Sequence, residues 1–300
     1  MCALPLIRST RGSPLATIIV PSFNSRITVG QCLGALVEQD CPEKFEIIVV
    51  DSSDDGTDKL IRGDFPGVRL IKLRDRTLPG RARNLGVEKA RGEIVAFTDT
   101  DCIAPREWLR KHLKHHDEYD VVGGSIENQN PDSLVSWASY LLEFSGFTPS
   151  ARRGPVDCLV TANISYKRNL FAGGGFPEDI WPGEDRIFHA RLARDRQLFF
   201  DGSNPVGHVN RCRLNEMFDH QKRLGEAAAS AWPQIDAHRS LLTIPELAAF
   251  TPPARIGLIS ARLLRDTPCL LLRAAPATPL ILAGAGGWAW AFWRKRRLKG

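Results

Sequence analysis

Residues 93–102 read EIVAFTDTDC. Four apolar residues, Ile94 to Phe97, run into Thr98 and then into two acids one residue apart, Asp99 and Asp101. A continuous apolar run of this kind suits a strand buried on both faces, as in a parallel sheet covered by helices. In extended chain, residues i and i+2 point the same way, so Asp99 and Asp101 face one point and Thr100 turns aside. Two convergent carboxylates repel unless a positive group lies between them. A hard divalent cation with oxygen ligands, Mg²⁺ or Mn²⁺, fits that gap. A pair of solvated loop acids, or Asp101 capping a helix over PREWLRKHL, fits these residues as well, so the surroundings must decide.

Upstream, strand and helix patterns alternate. ATIIV (16–20), FEIIVVD (45–51) and VRLIKL (68–73) read as strands. NSRITVGQCLGALVEQ (24–39) places Val29, Cys32, Leu33, Leu36 and Val37 at helical spacing, with Asn24 or Ser25 as N-cap. DSSDDGT (51–57) is a turn, GRARNLGVEKA (80–90) a helix and IVAFT (94–98) the fourth strand. Strands alternating with helices predict an α/β fold with a mainly parallel sheet. Ligands bind such sheets outside the carboxyl ends of the strands. The ends to examine are therefore Pro21–Asn24, Asp51–Ser53 and Asp99–Asp101.

The chain has 300 residues, 43% apolar and 25% charged, enough for one large domain or one domain with an appendage. Its seven cysteines include no C-x-x-C pair, which argues for reduced thiols in a cytosolic compartment over a disulfide frame or a zinc site. MCALPLIRSTRGSP holds no long apolar run, so no signal peptide is expected. Residues 254–300 carry nine Arg/Lys and one Asp, which leaves residues 1–253 near −2 although the chain totals +6. The positive charge belongs to the tail, and nucleic acid is not an expected partner.

An ordered set of motifs now stands out: TIIVPSFN (17–24), IIVVDSSDDGT (47–57), GRARNLGVEKARGEIVAFTDTDC (80–102), ANISYKRNLFAGGGF (162–176) and GEDRIFHARL (183–192). Over roughly residues 15–230 the chain resembles the family-2 glycosyltransferases of GT-A fold. The resemblance implies transfer of a sugar from a nucleotide-diphosphate donor, a UDP- or GDP-sugar, with inversion at the anomeric carbon. On it, Pro21, Phe23, Asn24, Asp51 and Ser53 lie where a base and ribose would sit, and Asp51 accepts from them. Arg83 and Asn84 lie near the diphosphate, Asp99 and Thr100 near the ribose, and Asp101, with Asp99, near the metal. A guanidinium at Arg83 suits a diphosphate. His208, in NPVGHVN, stands where many such enzymes have a late histidine that joins the metal or diphosphate.

Inversion needs a base for the acceptor hydroxyl. Glu184 and Asp185 fall in the first turn of a helix, where the dipole favours acids whatever their task. The resemblance selects Asp185 as the base and Glu184 as an acceptor-binding or orienting acid. Trp181 is a candidate to stack on the acceptor sugar, or to pack. The glycines at 173–175 let FAGGGF bend tightly beside the site. Trp137, Tyr140 and Phe144, on a helix over 133–147, are expected in the core before an acceptor wall.

Processive members carry Q-x-x-R-W after the base, whereas HQKRLGEAAA (220–229) has Leu224 and Gly225 at the last two positions. A single-addition enzyme is expected, and membrane attachment through the tail would suggest an acceptor that is a lipid-linked saccharide or glycolipid. RIGLISARLLRDTPCLLLR (255–273) gathers Arg255, Arg262, Arg265, Asp266 and Arg273 on one-third of a helical wheel, a basic amphipathic pattern that Pro268 should break. Twenty uncharged residues (274–293) then precede RKRRLK. Basic residues on both sides favour re-entrant or in-plane attachment over a single-pass span, on the cytoplasmic face of the plasma (inner) membrane, where the donor is made. A helix pair packed on the domain is the alternative. The organisation expected is an extension (1–14), a glycosyltransferase domain (15–235; donor half 15–119, acceptor half 120–235) and a helical, basic, membrane-associated region (236–300). The motifs end before residue 210, so a chain stopped near Ala254 is expected to stay soluble and bind the donor. The rival readings are a nucleotide-sugar-binding regulator without turnover and a Mg²⁺-dependent phosphohydrolase, whose nucleophilic Asp would instead end the first strand.

Overall fold

The computed structural model describes residues 12–192, 196–235 and 250–298. Most of the expected 1–14 extension, and residues 236–249 at the start of the expected C-terminal region, lie outside the described residues. Strands β1 (Ala16–Ser22), β2 (Phe45–Asp51), β3 (Arg69–Lys72) and β4 (Ile94–Thr98) alternate with helices α1 (Val29–Val37), α2 (Thr57–Asp64) and α3 (Pro79–Lys89). They form the parallel order β3-β2-β1-β4. The period of two sorts β1 between two cores. Ala16, Ile18 and Val20 meet α1 and α2 on one face, while Ile19 meets Val87 of α3 on the other.

The sheet then continues through β8 (Asn163–Lys167), β6 (Val121–Asn128), β9 (Leu198–His208) and β5 (Cys102–Ile103), with β7 (Gly154–Val156) on β9. β8 is antiparallel to both β4 and β6, whereas β6 and β9 are parallel. One sheet therefore carries both the expected donor and acceptor halves. Since β2, β1 and β4 are adjacent, the three polar strand ends share one edge, as the crevice rule requires. The six described cysteines are all free.

α1 starts later than its sequence pattern suggests. Ser25 O accepts from Thr28 N and Val29 N in a turn, and Thr28 is the N-cap. Asn24 and Ser25 have other partners: Asn24 adopts a left-handed conformation, and the hydroxyls of Thr100 and Ser25 bond at 2.8 Å.

Beyond α4 (Trp108–Lys114), α5 (Leu134–Phe144) buries Trp137, Tyr140 and Phe144 in the core, so these rings do not form an acceptor wall. α6 (Glu184–Leu192) follows the glycine loop, and α7 (Leu214–Ile235), α8 (Thr251–Asp266) and α9 (Leu271–Arg297) complete the chain. α8 stops before Pro268, as expected. α9 lies against α5, α7 and α8, burying Ala277, Ile281, Ala285, Trp288 and Phe292. Its backbone passes so close to α7 that a Cβ on Gly225 would meet Trp288 O at 2.2 Å. Deleting everything after Ala254 would uncover this face of α5 and α7, a contact that the expectation of a soluble truncated chain did not include.

The basic stripe of α8 is divided: Arg265 is exposed, as on a basic surface helix, but two other arginines turn inward. Arg255 and Arg262 point to α5, bonding Leu142 O and Ser145 Oγ, while Leu258 and Leu264 are 49% and 63% exposed. A helical wheel resolves two faces without saying which one the fold covers. Along α9 a second open apolar line runs through Leu272, Leu282 and Trp290. The segment Pro268–Arg297 is long and apolar enough to cross a membrane by length and composition, and 28% of its apolar 18-residue window is buried in the protein.

Candidate active site

β4 ends at Thr98, and the chain turns so that Cys102 pairs with His208 at the end of β9. That register, with Val209 N donating to Asp101 O at 2.9 Å, places the acid beside the histidine. Asp101 Oδ2 is 3.6 Å from His208 Nε2. The Nδ1 of His208 lies 3.0 Å from Asn210 Oδ1; as donor there, it leaves the Nε2 lone pair facing Asp101. The Cys102 thiol completes a cluster within 4.8 Å. Burial, then Asp101 and Asp99, raise its pKa far above the ordinary value, and a sulfur donor is a poor match for a hard cation. Carboxylate and imidazole are the donor set, and it suits a divalent cation with oxygen and nitrogen ligands.

Arg83, on α3, joins two parts of the cleft. Its Nη2 donates to Asp99 Oδ1 at 2.8 Å and its Nη1 to Glu184 Oε1 at 2.6 Å. Arg83 is 3% exposed, and its Nε is buried without a partner. Burial disfavours its charge, but Asp99, Glu184 and Asp185 outweigh that and raise its pKa. Burial also raises the Glu184 carboxyl, with Arg83 opposing and Asp185 adding to the rise. Asp185, half-buried beside it, is raised by burial too, against the Arg186 N–H, Arg83 and Arg186. Arg83 is thus engaged by carboxylates where a diphosphate contact was expected. Sequence reasoning missed this bridge, because its partners stand 16 and 101 residues away.

Asn84 serves the glycine loop. Its amide donates to Phe176 O (2.9 Å) and Glu178 Oε1 (3.0 Å) and accepts from Phe176 N (3.0 Å). A Cβ on Gly175 would stand 2.1 Å from Asn84 Oδ1, so the loop can approach this closely only as glycine. Asp51 is closed as well. Ser22 Oγ (2.8 Å), Lys72 Nζ (2.9 Å), Ser53 N (3.3 Å) and the Ser53 hydroxyl all donate to a carboxylate with no exposed surface. Its carboxylate is thus fully engaged within the protein at the end of β2, the position expected from sequence to meet the nucleotide. Ser53 Oγ accepts from Asn24 N at 2.7 Å, and Asn24 Oδ1 from Asp54 N at 3.1 Å. Pro21 is half-buried, and Phe23 is open at 39% exposure, with the Arg76 guanidinium 4.7 Å from its ring centre. Thr100 is turned away onto Ser25, and Trp181 is half-buried before α6.

Residues 17–173 match the model of glycosyl transferase family 2. The chain belongs to this family. Family membership sets aside the phosphohydrolase and the non-catalytic regulator, and the chain is a transferase. Glycosyltransferase AglE of Haloferax volcanii is 28% identical over 233 residues, 73% of this chain and 74% of that protein. Poly(ribitol-phosphate) beta-N-acetylglucosaminyltransferase TarS of Staphylococcus aureus is 32% identical over 185 residues, which are 57% of this chain but only 31% of TarS. Among solved structures, mannosyltransferase PcManGT from Pyrobaculum calidifontis, in complex with GDP-Man and Mn²⁺, superposes with a TM-score of 0.64 at 21% identity. The match covers 96% of this chain and 88% of that one. At that identity the likeness is one of fold, and it establishes the GT-A architecture for this family-2 chain.

Proposed function

We propose that this family-2 glycosyltransferase adds a single sugar, with inversion, from a UDP- or GDP-sugar to an acceptor hydroxyl on a lipid-linked saccharide or glycolipid. One observation carries the reading. Arg83 ties Asp99, at the donor end of β4, to Glu184, next to the proposed base Asp185, so the two halves of a displacement face each other across one cleft. Pro21, Phe23, Asn24 and Ser53 line the side for base and ribose, with Asp51 behind them, and residues 120–235 supply the acceptor side. Asp101 and His208, with Asp99 nearby, would hold Mg²⁺ or Mn²⁺, which when bound supplies positive charge to the leaving diphosphate.

The acceptor oxygen forms its bond to the anomeric carbon as the bond from that carbon to the diphosphate oxygen breaks. The electron pair leaves on the diphosphate, and the hydroxyl proton passes to an Asp185 carboxylate oxygen. Arg83 favours the ionised acids around it, and Glu184, held at 2.6 Å, orients that end of the cleft. Trp181, just before α6, is the side chain proposed to meet the acceptor.

The seat at the membrane is in-plane, on the cytoplasmic face. The open residues Leu258, Leu264, Leu282 and Trp290 enter the interface while the other side of α9 stays packed on α5 and α7. A crossing would require those packed contacts to be given up.

The test is Asp185→Asn, which preserves size but cannot take the proton. With Mn²⁺ and a panel of UDP- and GDP-sugars, transfer should fall about a hundredfold or more, while nucleotide affinity stays within a few-fold. Transfer near the wild-type rate would remove Asp185 from the role of base.

A further inference from the structure

His208, one of the two residues facing each other at the candidate metal site, stands in a net of side-chain amides. It ends β9 and pairs in the sheet with Asn128, the last residue of β6. Asn130 follows in the loop, Ser136 lies in the first turn of α5, and Asn210 lies just past His208. Asn210 and Ser136 are buried. The bonds among these groups have directions, and the directions can be worked out from one end of the net to the other.

A backbone N–H can only donate. Asn130 N donates to Asn128 Oδ1 at 3.3 Å, which makes that atom the amide oxygen. Asn210 Nδ2 donates to the same oxygen at 3.0 Å and to His208 O at 3.0 Å. Those two acceptors fix the Asn210 amide with its own oxygen turned to the ring. Asn210 Oδ1 lies 3.0 Å from His208 Nδ1, so Nδ1 is the ring nitrogen that carries the proton. Asn130 clamps Asn210 from its backbone side: its Oδ1 accepts from Asn210 N (2.8 Å), and its Nδ2 donates to Asn210 O (2.6 Å). The Ser136 hydroxyl has both Asn128 Oδ1 (2.7 Å) and Asn130 Oδ1 (2.9 Å) within reach. Among the described residues Asn128 Nδ2 is buried without a partner, so Asn128 acts in the net through its oxygen alone.

The consequence falls on the far side of the ring. In a neutral imidazole protonated at Nδ1, Nε2 is a bare acceptor. It stands 3.6 Å from Asp101 Oδ2, beyond hydrogen-bond length. Two acceptors therefore face each other with no proton between them, an arrangement that a cation completes. A proton on Nε2 would instead let the ring donate to Asp101, and the pair would close on itself. The Phe144 ring, 4.9 Å from the imidazole centre, packs against the histidine.

We propose that Asn210, held by Asn128, Asn130 and Ser136, is a positioning residue that fixes the His208 tautomer and keeps Nε2 open toward Asp101 for a divalent cation. The assignment rests on the metal reading above. It makes the end of β6 and the start of α5, which touch neither Asp101 nor the ring's Nε2 in this net, part of what sets cation affinity.

The experiment uses the full chain with its histidines labelled with nitrogen-15. Imidazole nitrogen shifts of the metal-free protein, recorded where they report a neutral ring, show which nitrogen carries the proton, and His208→Gln assigns the signal. Mn²⁺ affinity is then measured by electron paramagnetic resonance with UDP or GDP present. Wild type should show the proton on Nδ1. Asn210→Ala should lose that preference and weaken Mn²⁺ by about tenfold or more, the usual effect of removing the partner of a ligating histidine. Asn128→Ala, which frees the Asn210 amide to turn over, should move both readouts the same way by less. Asn210→Asp keeps an accepting oxygen and should hold the proton on Nδ1, a rescue that a merely structural role would not give. Should Asn210→Ala fail to fold, Asn128→Ala still carries the readout. A wild-type ring protonated on Nε2 overturns the proposal. So does a tautomer unmoved in both alanine variants, or a tautomer that moves while Mn²⁺ affinity stays the same. Failure of wild type to bind Mn²⁺ with either nucleotide would count against the metal reading, and the nitrogen shifts would still decide whether the net sets the tautomer.

Discussion

Replacing Arg83 with glutamine removes a charge that two sides of the cleft share. Arg83 and the Glu184 side chain are 3% and 5% exposed, so water cannot replace the lost partner. Removing one member of a buried pair costs about 3–5 kcal/mol. The Asp99 side chain is one-third exposed, and its bond adds only about 0–1 kcal/mol after screening. Glu184 can relieve part of the cost by taking a proton, so the expected loss is near the lower bound, about 3 kcal/mol. The second effect falls on Asp185. Arg83 favours its ionised form, and an adjacent guanidinium moves a carboxyl pKa by about 1–3 units. Without it the pKa rises. The base works only when ionised, so the variant should be slower at pH 7 and recover as pH increases. The acid limb of kcat/KM should move up by about one unit. Urea unfolding reads the first effect, and the pH dependence of kcat/KM reads the second. Arg83→Lys, which keeps the charge but not the fork, should show a smaller shift. A stability loss below about 0.5 kcal/mol, with the acid limb unmoved, would refute the bridge.

Asp101→Ala should abolish the Mn²⁺-dependent part of nucleoside diphosphate binding, measured by calorimetry; an unchanged dependence would remove Asp101 from the metal site. Glu143 is raised by burial, but His220, Arg211 and His208 bring it down to about 2, from an ordinary 4.5. Its stabilisation is fully present above about pH 4.5 and is lost as pH falls through about 2, up to about 3 kcal/mol in all. In Glu143→Gln that acid-driven loss should be missing, so unfolding curves of the two proteins should converge as pH drops. Leu264→Glu with Trp290→Glu should leave the fold intact, because both side chains are open, and should release the chain from phosphatidylglycerol vesicles in sedimentation.

Much of the sheet was legible because its signals are local. FEIIVVD is β2 to the residue, IVAFT is β4, and the period of α3 shows in GRARNLGVEKA. The start of α1 was not, since Asn24 and Ser25 have capping chemistry but meet Asp54 and Thr100, partners that only the folded sheet supplies. The candidate site follows the same division. Asp101 and His208 carry their chemistry in their identity and position, and the structure brings them together. Asp51, Arg83 and Asn84 do not. Each is a polar residue at a strand end or helix start, and its partners decide whether it faces a ligand. Their partners in the structure are Lys72, Glu184 and Phe176, and no spacing rule links them. The tail shows a third limit, because hydropathy gives the two faces of α8 but not their direction.

The two-sided packing of α9 bears on how this chain is kept and lost in a cell. Its inner face completes the hydrophobic core, and on the proposed in-plane attachment its outer face would meet lipid, so the same helix would take part in two equilibria. Lipid would then act as a ligand of the folded state, and occupancy of the bilayer would raise the free energy of unfolding by mass action. A protease cutting after α8 would yield no freely diffusing enzyme; it would leave a domain with its interior uncovered. On that reading detachment and denaturation would be coupled, and a chain that misses its membrane would be the less stable one.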